Sequence, residues 1–267
     1  MQVEECSEKL LEMLLERLDE KRSGVAIDAG VGTFAFYCEL FARLGFRSAA
    51  VEPLPSQKLR DVCSEKGITL FENCLSDRDG TQTLYLGNFC GDNNSLDYSS
   101  LLSDWWGASR GWHFFRRRKQ VPTLSLSGLL SRLKAQEITC LKLDIEGAEL
   151  TVLSQLPELT GTLMPKIIMF EYGGGDLKKS GKGAWAPKFF AQTLRCLDLL
   201  QQCGYATTIR IESSPLVEKI FDIGSYRAEL DEIFPAQACY GNLISLHGNF
   251  IHLEPEIKRI CSSYRSP

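Results

Sequence analysis

Histidine is scarce, three residues in 267, and none of the ten cysteines stands in a C-x-x-C pair. The spacings that structural zinc requires are therefore missing. No apolar run approaches the roughly 20 residues a helical membrane span needs. Positive charge is not in excess either. Thirty Lys and Arg against 34 Asp and Glu leave a net charge of -4, which argues against a general nucleic-acid binder. Repeats, low-complexity tracts and linkers are absent as well. Residues 1–10 hold four Glu or Lys and no positive-then-apolar order, so they do not read as a secretory signal. The cysteines then read as reduced, small, buried side chains of a cytoplasmic protein.

What is present is enough apolar material, 44% of residues, for one continuous core. Residues 4–22 place Leu10, Leu11, Leu14, Leu15 and Leu18 at helical spacing. They predict a leading amphipathic helix over 1–23, packed on a single domain spanning 24–267. VAIDAG (25–30) reads as a buried strand stopped by glycine, and 33–44 as a helix closed by Gly45. RSAAVEP (47–53), a helix over 55–67 and ITLFENCLS (68–76) continue the alternation. This is the doubly wound α/β pattern, a mostly parallel sheet with helices on both faces. TQTLYLG (81–87) reads as an extra strand and 88–112 as a long loop. Residues 116–136, 138–149 and 166–175 read as strand-to-helix or strand-to-loop units. Residues 186–203 form a helix, and 205–211 and 240–248 are the closing strands.

Candidate site residues gather where these strands end. Asp28 precedes Gly30 and Gly32 at the first strand–helix turn, where glycine lets backbone approach a ligand. A carboxylate there repels a pyrophosphate and suits a cationic ligand, such as the amino end of an amino-acid cofactor. Glu52 ends the second strand, where an acid accepts from a ribose diol. Ser76 and Asp77 end the third. Asp144 ends the fourth within LKLDIEGAE (141–149), and Glu171 ends the next, before a glycine loop. Asp144 and Glu171 form a paired-acid candidate for a base or a divalent metal. His113 lies among Trp105, Trp106, Trp112, Phe114 and Phe115 as a third candidate.

DAGVG, AVEP, LSDRDG, LKLDIEGAE and FEYGG, in that order, resemble the FkbM family of S-adenosylmethionine-dependent methyltransferases. The resemblance covers about 24–175. It implies a class I methyltransferase fold, a seven-stranded sheet with one antiparallel strand. It implies methyl transfer from S-adenosyl-L-methionine, usually to a hydroxyl oxygen of a sugar or natural product. By position, Asp28, Gly30 and Gly32 would line the methionine part of the cofactor, Glu52 the ribose, and Ser76 and Asp77 the adenine. Three positions depart from the family: Gly32 replaces an Asn, Phe34 a Gly, and Ser125 the Asp of a Thr-Leu-Asp.

An alcohol is a poor nucleophile, so a base or metal is expected, Asp144 first, then Glu171, then His113. The acceptor is expected to be a small molecule or glycan. Two rival classes remain open at this point. One is a nicotinamide-dependent oxidoreductase on a similar sheet, which Asp28 opposes. The other is a degenerate methyltransferase fold acting as a binding module, which Phe34 and Ser125 favour.

Overall fold

Glycine, serine and proline set many of the element ends. Ser56 accepts a hydrogen bond from the Leu59 N–H to cap one helix, and Gly67 closes that helix in the left-handed region. The computed structural model describes residues 2–33, 35–87, 96, 98–105, 117–174, 176–213 and 215–265. In chain order the elements are α1 (Gln2–Leu18), β1 (Val25–Ala29), α2 (Phe36–Arg43), β2 (Arg47–Val51), α3 (Gln57–Lys66), β3 (Thr69–Phe71), β4 (Cys74–Leu75) and β5 (Gly80–Tyr85). There follow β6 (Arg118–Leu124), α4 (Leu126–Leu133), β7 (Ile138–Leu143), α5 (Glu149–Leu153), β8 (Ile167–Gly173) and α6 (Pro187–Gln202). The last are β9 (Tyr205–Ser213), β10 (Leu216–Asp222), α7 (Leu230–Ile233), β11 (Tyr240–His247) and α8 (Glu254–Ser262). They are α/β throughout and fall into two compact units, one of residues 21–165 and one of 1–20 with 166–267.

In the 21–165 unit, β7, β1, β2 and β3 lie side by side in that order. β1 pairs in parallel with β2 and β7, and β2 with β3. β1 is buried along its whole length, as expected of a strand covered on both faces. Val31, Cys38, Ala50, Leu59, Cys63 and Ile68 form one of its cores. A separate three-stranded sheet runs β4-β6-β5.

That second sheet revises the sequence reading. The single strand expected over 68–76 breaks after Phe71. Glu72 leaves the ladder to meet Arg60 on α3 with two contacts of 2.9 and 2.7 Å. Beyond the break, β4 pairs with β6 instead. Ser76 and Asp77 therefore follow β4 and not β3.

In the other unit the strand order is β10-β9-β11-β8. β11 is antiparallel to both β8 and β9, and β10 is antiparallel to β9. The sheet thus contains two reversed strands where one was expected. The additional one, β10, folds straight back on β9 as a hairpin. α1 buries Cys6, Leu10, Leu11, Leu14 and Leu15 completely and packs on α8, β9 and β11. Among the described residues no helix is long and apolar enough to cross a membrane.

Candidate active site

Pairing of β1 with β7 puts Asp28 directly beside Lys142. Both side chains are buried, and the Lys142 ammonium lies 3.0 Å from Asp28 Oδ1. Burial drives the Asp28 carboxyl above its ordinary range, and Lys142 works against that shift. Asp28 Oδ2 accepts from the Cys38 backbone N–H in the first turn of α2 at 3.2 Å. Lys142 also donates to the Gly30 carbonyl at 3.1 Å, lies 3.5 Å from Asp144 Oδ2 and sits 5.2 Å from the centre of the Tyr37 ring. One buried ammonium therefore ties together the glycine turn, Asp28 and Asp144. Lys142 lies within LKLDIEGAE, but only the strand register shows its partners.

Gly30 has φ 77° and Gly32 φ 59°, the left-handed region that favours glycine. Gly30 has a second constraint. A Cβ there would lie 1.7 Å from the Asp144 carbonyl oxygen. The turn after β1 is thus packed against the backbone at the end of β7. The Gly32 N–H donates to Glu52 Oε2 at 3.0 Å, and the Leu54 N–H to Glu52 Oε1 at 3.0 Å. These two backbone donors orient the Glu52 carboxylate at the end of β2. A carboxylate accepts about four hydrogen bonds, so oxygens held this way suit a diol.

Ser76 is buried and Asp77 is exposed. Gln82 Nε2 donates to Ser76 Oγ at 2.9 Å and to Asp77 Oδ1 at 3.0 Å. Gln155 fastens the Ser76 carbonyl at 2.8 Å. Asp144 keeps 39% of its side chain exposed, while Lys142 beside it keeps 6%. Glu171 lies in the other unit, on β8, opposite Asn242 of β11. Asn242 in turn donates to Ser7 Oγ on α1 at 3.0 Å. His113 and Phe34 lie outside the described residues, as do Trp106, Trp112, Phe114 and Phe115. Among the described residues no group of three or more His, Cys, Asp or Glu could hold a metal ion, so the divalent-metal expectation gains no support.

The turn after Asp144 carries strain and two braces that the motif alone did not reveal. Glu146 has φ 54°, unusual for a residue with a side chain. Its Oε2 accepts from Trp105 Nε1 at 2.7 Å, and its carbonyl accepts from Ser100 Oγ at 2.6 Å. Gly147 lies under the Trp105 ring, which a Cβ would meet at 2.2 Å. From the other side Glu149 Oε1 accepts from the Ile145 and Gly147 N–H groups at 3.1 and 3.3 Å. Burial raises the Glu149 carboxyl from 4.5 to about 7; its backbone donors pull the other way.

The departure at 125 resolves into a helix cap. Ser125 Oγ accepts from the Gly128 N–H at 3.0 Å to start α4. It also donates to Asp79 Oδ1 at 2.8 Å, as does the Ser125 N–H at 2.8 Å. A Cβ on Gly128 would meet Asp79 Oδ1 at 2.3 Å. Asp79 thus sets a carboxylate at the start of α4, where an anion is favoured.

The sequence profile of the Methyltransferase FkbM domain matches residues 25–206, more than half of the chain. No curated protein matches the sequence. One solved structure similar to the chain is the Burkholderia thailandensis 1,6-didemethyltoxoflavin-N1-methyltransferase, determined with 1,6-didemethyltoxoflavin and S-adenosylhomocysteine bound. It is 11% identical, with 91% of this chain and 78% of that chain covered and a TM-score of 0.37.

Proposed function

The chain belongs to the FkbM methyltransferase family, and on that premise we propose that it transfers a methyl group from S-adenosyl-L-methionine to a hydroxyl oxygen of a small-molecule or glycan acceptor. The finer fold reading, a class I doubly wound sheet, belongs to the same proposal. One observation carries it: the Gly30 turn packs on the Asp144 backbone while Lys142 bridges the two. The cofactor turn and the proton-accepting carboxylate are built as one piece.

The residues present fit the cofactor. Gly30 and Gly32 give a side-chain-free turn at the end of β1, and Glu52 presents oriented oxygens for the ribose hydroxyls. Ser76 and Asp77 would flank the adenine. Asp28 contributes by holding Lys142 and the start of α2, since its own oxygens face those groups. When bound, the cofactor supplies a methyl group on a positively charged sulfur.

The protein's own part is to hold the acceptor in line and take its proton. Asp144 is the base in this reading: its partly exposed carboxylate would hold the acceptor hydroxyl and take its proton. Lys142 provides the counter-charge at 3.5 Å. Glu171 and His113 stand behind Asp144 as further candidates. The alternative, a degenerate methyltransferase fold acting as a binding module, predicts cofactor binding without turnover on any acceptor.

Isothermal titration with S-adenosylhomocysteine, with NADH as control, tests the proposal. Micromolar binding, weakened at least tenfold by Glu52→Ala, is expected, followed by methyl transfer in an acceptor screen that Asp144→Asn abolishes. Absence of binding to the wild-type chain overturns it.

A further inference from the structure

Cys6 and Cys261 stand 255 residues apart and meet inside one unit. The Cys6 thiol donates to Cys261 Sγ at 3.4 Å, and both residues are fully buried. Cys6 lies early in α1 and Cys261 near the end of α8, two helices that pack together. Arg17 on α1 joins Glu256 on α8 at 3.1 Å and holds their register. The proposed methyl transfer uses neither thiol.

We infer that Cys6 and Cys261 form an oxidation site that a hydroperoxide converts into an intramolecular disulfide fastening α1 to α8. A disulfide needs the sulfurs about 2.05 Å apart, so each has to move by less than an ångström. The facing sulfurs already share a hydrogen bond.

The chemistry runs in two steps. One thiol loses its proton and its sulfur attacks a peroxide oxygen, breaking the O–O bond to give a sulfenic acid and hydroxide, which takes up the released proton. The second thiol then attacks that sulfur. The S–S bond forms, the S–O bond breaks, and the oxygen leaves as water with the second proton. Two thiols are oxidised by two electrons and one peroxide is reduced.

The closed structure restrains this reaction. The hydrogen bond with Cys6 and burial hold the Cys261 thiol far above its ordinary range, so it stays protonated. Reaction therefore proceeds when the last turn of α8 frays, the usual low-energy opening of a helix end. Arg265 opposes that opening. Its Nη2 donates to both carboxylate oxygens of Glu218 on β10 at 2.6 Å, and the Glu218 side chain is 3% exposed. Arg265 thus acts as the latch that sets the rate.

The test uses the full chain treated with hydrogen peroxide, alkylated and mapped by peptide mass spectrometry without reduction. The expected product is a peptide pair joined through Cys6 and Cys261, reversible by dithiothreitol and absent in Cys6→Ala and in Cys261→Ala. The oxidised chain should melt several degrees higher, since the bridge closes a very long loop. Arg265→Ala should form the bridge at least threefold faster at unchanged thiol reactivity in denaturant. Cys6 and Cys261 both recovered as free or over-oxidised thiols, or bridged only to other cysteines, overturns the site. An unchanged rate in Arg265→Ala overturns the latch.

Discussion

Replacing Glu149 by glutamine should stabilise the protein in mildly alkaline solution and add little in acid. The carboxyl is held by burial at about 7, against 4.5 in the unfolded chain. Its folded value is the higher one. The stability it contributes is therefore complete below about 4.5 and is lost as pH rises to 7 and beyond. At 1.36 kcal/mol per pH unit, the displacement corresponds to roughly 3 kcal/mol. Glu149 retains some contact with water, and solvent screening reduces the figure to about 1–2 kcal/mol. Glutamine keeps an oxygen that can accept from the Ile145 and Gly147 N–H groups, but it has no charge to bury. Urea unfolding of the wild type and Glu149→Gln at pH 5 and pH 8 measures the difference. The variant should gain about 1–2 kcal/mol more at pH 8 than at pH 5. An equal effect at both pH values would refute the reasoning, because it would show that the carboxyl does not change its protonation across that interval.

Lys142→Met leaves Asp28 buried without its cation and should cost about 3–5 kcal/mol near neutral pH. The loss should shrink as pH falls and Asp28 takes up a proton, and Asp28→Asn in the same chain should recover much of it; chemical denaturation from pH 5 to 8 reads both. Ser125→Ala removes the cap of α4 and should cost about 1 kcal/mol. Ser125→Asp sets a second carboxylate beside Asp79 and should lower the urea midpoint too, a loss that Asp79→Asn should reverse. Glu146→Gly relieves a positive φ while deleting the Trp105 acceptor. It should leave the melting temperature within a few degrees of wild type and weaken S-adenosylhomocysteine binding several-fold, whereas Glu146→Gln should bind normally; calorimetry against a melting curve separates the two effects.

Local signals carried most of what the sequence revealed of the fold. Glycine and serine punctuate β1, β2 and α3 within a few residues of the expected ends because caps and left-handed turns depend on near neighbours. The break between β3 and β4 falls at Glu72, which pairs with Arg60 twelve residues earlier, and no alternation of apolar residues reports it. The hairpin of β9 and β10 was missed for a related reason. LVEKIFD (216–222) is half polar and gains its strand character from pairing with β9.

The same distinction governs the site. Asp28, Gly30, Gly32, Glu52 and Asp144 were legible because short spacing places them at strand ends. Their division of labour was not, since it follows from which strands become neighbours. From sequence, Asp28 presents an acid awaiting a cation from a ligand. The β1–β7 register sets the Lys142 ammonium beside that acid. A carboxylate shielded from water this thoroughly needs a permanent partner in the absence of ligand, and a strand neighbour is always present. Glu52 and Asp144, the groups proposed to meet ligand, are partly exposed instead. The Trp105–Glu146 brace, spanning 41 residues, holds the strained turn immediately beyond Asp144. The ion pair is buried and the proposed base is partly exposed, so Lys142→Met should first reduce stability, whereas Asp144→Asn should first reduce turnover.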